Sequence, residues 1–239
     1  MRHGTLLSAF TLSLSLCSCV LDDRSLQVSL APATHPLGTD SGTDGAPSEI
    51  VPTEAAPPVL AECPDLDQDG VPDCQQTLVQ NPSFQVDDSG WLVEQNVAAA
   101  WSQSDAQAHA DSGSLRIEST LVSDLSGLTT VGVHQCLTVT QAGYEAYAEL
   151  LVPGSQRTVG TAGIELDFFA SADCSGDTLD ERASDTTGVA DTWQLLSLQV
   201  DTPEGSRSIS VRLMTAKPFV AAPFAALFDD VLVKAPAQK

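Results

Sequence analysis

The sequence predicts an all-β fold, an antiparallel β-sandwich of the jelly-roll kind at the end of a long N-terminal extension. Three observations predict it. Beyond residue 77, apolar and polar residues alternate in many short runs. Gly, Asp or Pro separates those runs, and no segment carries a long amphipathic helical pattern. Both Tyr, all three Trp and six of the seven Phe lie in the same part of the chain.

The individual runs are clear. Ile209, Val211 and Leu213 share one face, with Ser208, Ser210 and Arg212 on the other. Ile164, Leu166 and Phe168 alternate with Glu165 and Asp167, and Leu196, Leu198 and Val200 alternate with Ser197 and Gln199. Ala146, Ala148, Leu150 and Val152 form another such row. Period two, repeated with polar residues outward, is the pattern of a sheet with one buried face. Strands are expected near residue 78 and over 97–101, 114–119, 131–140, 144–152, 159–170, 193–200, 208–214 and 225–233. A segment of about 155 residues is long enough to bury one core.

The extension reads in three parts. Residues 1–18 have a basic start at Arg2 and His3, then an apolar run from Leu6 to Leu16 that is too short to span a bilayer. Leu16-Cys17-Ser18-Cys19 closes it and resembles the bacterial lipoprotein signal. That resemblance assigns lipid attachment to Cys19, which follows small Ser18, over Cys17, which follows bulky Leu16. The alternative is an ordinary cleaved signal. With no Asp after Cys19, the lipoprotein sorting convention implies an outer-membrane or cell-surface location, extracytoplasmic in either case. Residues 19–61 are rich in Pro, Gly and Thr and contain no aromatic residue, so they cannot bury enough apolar surface to offset the entropy of ordering. A disordered tether from membrane to sandwich is expected there.

Ten Lys and Arg stand against 32 Asp and Glu, a formal charge of −22. Such a surface repels nucleic acid and attracts divalent cations. Residues 62–76 concentrate this character in Cys63-Pro64-Asp65-Leu66-Asp67-Gln68-Asp69-Gly70-Val71-Pro72-Asp73-Cys74. Carboxylates at alternate positions converge once Gly70 lets the chain turn, so Asp65, Asp67, Asp69 and Asp73, with the Val71 carbonyl, are candidate calcium ligands. Unneutralised, they repel by about 1 kcal/mol per close pair even in water. An EF-hand would need Glu where Gln76 stands. The run instead resembles a single thrombospondin type-three repeat, or half a dockerin, which implies calcium. An acidic hinge without metal is the alternative. Four Cys remain after the signal besides the anchor Cys19, and an oxidising compartment favours two disulfides among three pairings. Cys63 with Cys74 would close the loop, and Cys136 with Cys174 would staple the sandwich.

Several short motifs recur in a familiar order: Leu78-Val79-Gln80-Asn81-Pro82-Ser83-Phe84, Ser89-Gly90-Trp91, Ser112-Gly113-Ser114-Leu115-Arg116-Ile117, Trp193-Gln194-Leu195-Leu196 and Phe228-Asp229-Asp230-Val231-Leu232-Val233. Together they make residues 77–235 resemble carbohydrate-binding modules of families four and nine, the galactose-binding-like jelly rolls. The resemblance implies a non-catalytic sugar-binding module with a structural calcium where first and last strands meet. Its ligands here would be Gln85, Asp229 and Asp230, although Gln85 replaces the family's Glu. Sugar binding needs exposed aromatic platforms. Trp91, Trp101 and Trp193 are expected in the core, which leaves Tyr144, Tyr147 and Phe169 as candidates. The chain has no Gly-x-Ser-x-Gly, His-Glu-x-x-His or phosphate-loop motif, so no enzyme is expected. The expected partner is a carbohydrate or, alternatively, an envelope protein.

Overall fold

The structure, a computed structural model, describes residues 64–186 and 188–236. The signal, Cys19, the tether and Cys63 lie outside the described residues. Among the described residues the strands are β1 (Leu92–Val93), β2 (Val97–Ser102), β3 (Ser114–Ser119), β4 (Leu128–Thr138), β5 (Gly143–Leu151), β6 (Thr161–Phe169), β7 (Thr178–Thr186), β8 (Gln194–Asp201), β9 (Ser208–Pro218) and β10 (Phe224–Lys234). One 3-10 turn, Asp73–Gln75, precedes them. The strands form two five-stranded sheets, β1-β4-β9-β6-β7 and β2-β3-β10-β5-β8, and every pairing between named strands is antiparallel.

The alternating residues meet between the sheets. Ile209, Val211 and Leu213 of β9 and Ile164, Leu166 and Phe168 of β6 share one core with Tyr144, Ala146, Ala148 and Leu150 of β5 and Leu115 and Ile117 of β3. β10 supplies Phe224, Ala226 and Phe228, then Val231 and Val233. Its inward residues therefore change from even to odd numbers. The change falls at Asp229–Asp230, where the β5 register shifts and Asp230 has a φ of 45°. Such a bulge resets the phase of a strand, and here it leaves both Asp side chains outside the apolar core.

Two expectations are corrected. No strand forms near residue 78; the segment instead crosses the end of β10, with Leu78 N–H donating to Val233 O and Val231 N–H to Pro82 O. β7 was not expected, because Thr-Leu-Asp-Glu-Arg-Ala-Ser-Asp-Thr lacks an apolar row. It is an edge strand paired only with β6, where exposed, charged side chains fit. Cys136 and Cys174 form a disulfide, as expected, with a Cα–Cα distance of 5.8 Å. Cys74 is also disulfide-bonded.

Phe228 is fully buried in the middle of sheet two. Phe228→Ala is expected to cost about 3–5 kcal/mol in equilibrium unfolding. Val86→Ala, at a position 78% exposed, should change stability by no more than about 0.5 kcal/mol.

Candidate functional sites

The acidic loop folds on its own backbone first. The Asp65 carboxylate accepts the N–H groups of Asp69 and Gly70 at 3.0 and 2.9 Å. Asp69 Oδ1 accepts Val71 N–H at 2.9 Å, and Gly70 makes the turn with a φ of 86°. Gln76, at the place where an EF-hand carries Glu, donates from Nε2 to Asp69 Oδ1 and to the Val71 carbonyl. One oxygen each from Asp65, Asp67 and Asp73 lies within 4.8 Å of the others, so three of the four candidate carboxylates cluster.

Asp69 takes a different partner, and Asp67 shares it. Lys234, from the end of β10, forms ion pairs with Asp67 and, at 2.8 Å, with Asp69 Oδ2, while Gln76 Oε1 accepts at 3.2 Å. Burial works against the ammonium charge, but the two carboxylates outweigh it and hold Lys234 well above its ordinary pKa. Sequence reasoning missed Lys234, which lies 165 positions beyond Asp69. Two hydrogen bonds between Thr77 Oγ1 and the β10 backbone, at Val231 O and Val233 N–H, tie the loop down further. Asp73 is 5% exposed; burial, outweighing the hydrogen bond from Leu66 N–H, and repulsion from Asp67 and Asp65 push its carboxyl up to about 6.

The second group of candidate ligands is divided. Asp229 is fully buried and its carboxylate accepts the N–H groups of Ala106 and Asp230 at 2.9 and 2.8 Å. Asp230 is 5% exposed. Burial and the like charges around them raise both carboxyls. Gln85 stands in the wall of a groove with Cys74, Thr77, Asn81 and Val86.

Two of the three aromatic candidates, Tyr144 and Phe169, are not exposed. Tyr144 is fully buried with its hydroxyl accepting Thr140 N–H, because it shares the inward parity of Ala146 and Ala148. Phe169 is also buried, next to the 170–177 connection, which the disulfide ties to β4 and hydrogen bonds with Ser208 tie to β9. Tyr147 is half-buried opposite Leu232, on the side of sheet two that carries Lys234. Trp91 is in the core as expected, and Trp193 is half-buried. Trp101 is not in the core; it is 38% exposed, with its indole N–H donating to Phe84 O at 2.7 Å. Its ring lies over Gly113, where a Cβ would come within 2.6 Å of it.

A polar row that sequence reasoning did not assemble crosses the outer face of sheet one. His134, Arg212 and Glu165 stand side by side on β4, β9 and β6, with Arg212 and Glu165 each between inward core residues and His134 between core Val133 and buried Gln135. Arg212 grips Glu94 with Nε and Nη2 at 2.6 and 2.8 Å and reaches Glu165 with Nη1 at 2.8 Å. This forked geometry is the strong form of a charge-assisted hydrogen bond. Burial alone would raise Glu94, but Arg212 prevails and lowers it. Two residues along β6 from Glu165 and across to β7, the row continues, with oxygens of Glu165, Asp167 and Glu181 within 4.8 Å of one another. Asp167 Oδ1 is buried without a donor, and burial with repulsion from Glu165 and Glu181 pushes that carboxyl up to about 7. Register across the strands brings these residues together, and their alternation with apolar neighbours was the available signal.

No family model matches the chain, and no curated protein matches it. Solved structures do. The arabinose-bound MgGH51 α-L-arabinofuranosidase aligns with 20% identity and a TM-score of 0.49, over 68% of this chain and 27% of that one. The CBM22-1 xylan-binding domain of Paenibacillus barcinonensis Xyn10C aligns with 15% identity and a TM-score of 0.45, over 65% of this chain and 93% of that one. TmCBM61 in complex with β-1,4-galactotriose gives 13% and 0.42, over 67% and 99%. This chain thus spans about a quarter of the arabinofuranosidase and nearly all of the two isolated modules. At these identities the likeness concerns the all-β sandwich fold.

The raised carboxyls set a pH dependence. A group whose folded pKa lies above its unfolded value favours folding when protonated, and that contribution is lost as pH rises through the folded pKa. For Asp73 the loss runs from about 4 to about 6, and for Asp167 from about 4 to about 7. In chelator, the thermal midpoint should therefore be higher at about pH 5 than at about pH 8. Asp167→Asn should narrow that difference in scanning calorimetry; an unchanged difference would show that Asp167 does not titrate in this range.

Proposed function

We propose that the chain is a non-catalytic binding module that takes a neutral carbohydrate on the outer face of sheet one, held outside the cytoplasm by a lipid on Cys19. The observation that carries the ligand reading is the row of Glu94, His134, Arg212 and Glu165 on that face, continued by Asp167 and Glu181. These groups offer the fixed donors and acceptors that hydroxyl groups need. The other sheet has its outer side engaged at β10 by the acidic loop. The excess of carboxylate on the sheet-one face disfavours uronates and sulfated glycans.

We further propose that the acidic loop binds calcium through Asp65, Asp67 and Asp73, with Asp69 and the Val71 carbonyl alongside. Three carboxylate oxygens within 4.8 Å and a buried Asp73 Oδ1 without a hydrogen-bond donor support this reading. Such a donor set suits a hard cation, which would neutralise the loop and order it. An envelope protein is the second reading for the partner. It is favoured by an apolar groove of about 240 Å³ lined by Leu128, Val159, Ala216 and Pro218, where Leu128 and Val159 are 66% and 78% exposed.

A glycan array probed with the purified protein tests the ligand reading. Binding to neutral plant or microbial glycans, reduced about tenfold or more by Glu165→Gln, is the expected result. Absence of binding at concentrations that reveal millimolar affinity would contradict it and favour the groove. Calcium titration by calorimetry tests the loop, with Asp67→Asn expected to weaken binding sharply. For the anchor, Cys19→Ser should abolish membrane fractionation.

A further inference from the structure

We propose that the end of the sandwich where β10 begins rests on a lipid bilayer, through apolar side chains on neighbouring connections. The connections are 120–127 between β3 and β4, 152–160 between β5 and β6, 188–193 before β8 and 219–223 between β9 and β10. Strand register gathers them at one end, since Ser119 pairs with Phe224, Leu128 with Pro218, Thr161 with Ala216 and Ala162 with Thr186. Val122, Leu125, Leu128, Val159, Val189 and Val220 lie there, each 56–78% exposed. They are six of the nine large apolar residues that are more than half exposed among the described residues.

Charge is distributed the opposite way. In a chain of formal charge −22, these four connections carry only Asp124, Arg157 and Asp191. Asp191 is engaged, accepting Gly154 N–H at 2.7 Å, and Glu94 in the adjacent β1–β2 turn is held by Arg212. The opposite end carries nine carboxyl side chains, in the acidic loop and in connections 103–113, 170–177 and 202–207, against Arg207 alone. β10 runs 11 residues between the two ends, about 35 Å at the rise of a strand. That is several Debye lengths at physiological salt. The acidic end therefore does not oppose contact between the apolar end and a lipid surface.

Contact with lipid also needs backbone polar groups to be satisfied from within. Lys217, fully buried, donates its ammonium to the carbonyls of Leu121, Pro218 and Ala221. Ser123 N–H donates to Phe219 O and Phe219 N–H to Gly127 O, at 3.0 and 3.1 Å. Thr158 Oγ1 donates to Ala222 O, and Gln156 exchanges two hydrogen bonds with the Ala225 backbone. Polar groups thus lace the connections together while the apolar side chains stay outside. A protein partner or a second copy fits less well. Stable interfaces take about 20–30 residues a side, far more than six apolar side chains and a groove of about 240 Å³. At the headgroup boundary such side chains give weak, reversible contact, of the order of a single acyl chain. This surface includes the groove named above for an envelope protein, gives it a different occupant and leaves the polar row of sheet one free. It does not depend on Cys19, whose lipid would be a second attachment.

The test is photo-cross-linking of the full chain to phosphatidylcholine–phosphatidylethanolamine liposomes that carry a photoactivatable acyl chain. At about 5 mM lipid even contact of single-acyl-chain strength is saturated, and mass spectrometry maps the labelled peptides. Acyl cross-links should fall on 120–128 and 219–223 and be absent from 103–113 and 202–207. Leu125→Asp with Val220→Asp should reduce them about tenfold or more. The thermal midpoint of that variant should stay near wild type, because both positions are exposed. Val220→Leu, which stays apolar, should keep the cross-links. Cross-links at the apolar end that persist in Cys19→Ser would support the contact independently of the anchor. A chain that floats with the liposomes but is cross-linked only in its N-terminal segment would leave the Cys19 reading standing and overturn this one. No cross-link at the apolar end, with self-association that Leu125→Asp and Val220→Asp abolish, would overturn it in favour of a second copy.

Discussion

Lys234 meets Asp67 and Asp69 at the end of β10, and much of the molecule is organised around that meeting. In a chain with 32 acidic residues, one ammonium 6% exposed and held by two carboxylates is a specific use of a scarce charge. Removing water from an ion pair is costly unless the geometry is good and the remaining groups are satisfied. Here Gln76 supplies a third oxygen to Lys234 and its amide to Asp69 and Val71. The pair thereby converts an acidic loop, which by composition would be solvated and mobile, into a cover on the sandwich.

That cover lies over the C-terminal end of β10, at Val231, Val233 and Lys234. Farther back, Gln156 and Ala106 bond to Ala225 and Asp229, along a strand that is buried from Phe224 to Lys234. Its inward residues face the other sheet. Its outward ones would otherwise be open to water, as the outward residues of β8 are. Covering them has a consequence at the bulge, where Asp229 and Asp230 are shielded and both carboxyls are raised. The outer face of sheet one keeps its polar row instead. The acidic loop and the polar row thus fall on opposite sides of the sandwich.

The sandwich was legible because eight expected strands sit between polar turns and keep period two. β9 and β6 show this directly, since Ile209, Val211 and Leu213 and Ile164, Leu166 and Phe168 all reach the core. β7 was illegible because an edge strand pairs on one side only and needs no apolar row. Tyr144 could have been placed, since it has the parity of Ala146 and Ala148; Phe169 breaks the parity of Ile164, Leu166 and Phe168 and follows a register shift against β7, which no local pattern announces. The loop ligands were readable as a local motif. Lys234 and the Arg212 fork depend on strand register and tertiary packing, which carry no local signature.

Lys234 holds the acidic loop on β10. A double-mutant cycle with Lys234→Met and Asp67→Asn, read by chemical unfolding in chelator, measures that hold. Lys234→Met alone is expected to destabilise the protein by about 3 kcal/mol, because it leaves buried charge unpaired. A coupling energy of at least about 1 kcal/mol is expected between the two positions. Additive effects, or a Lys234→Met variant as stable as wild type, would contradict it.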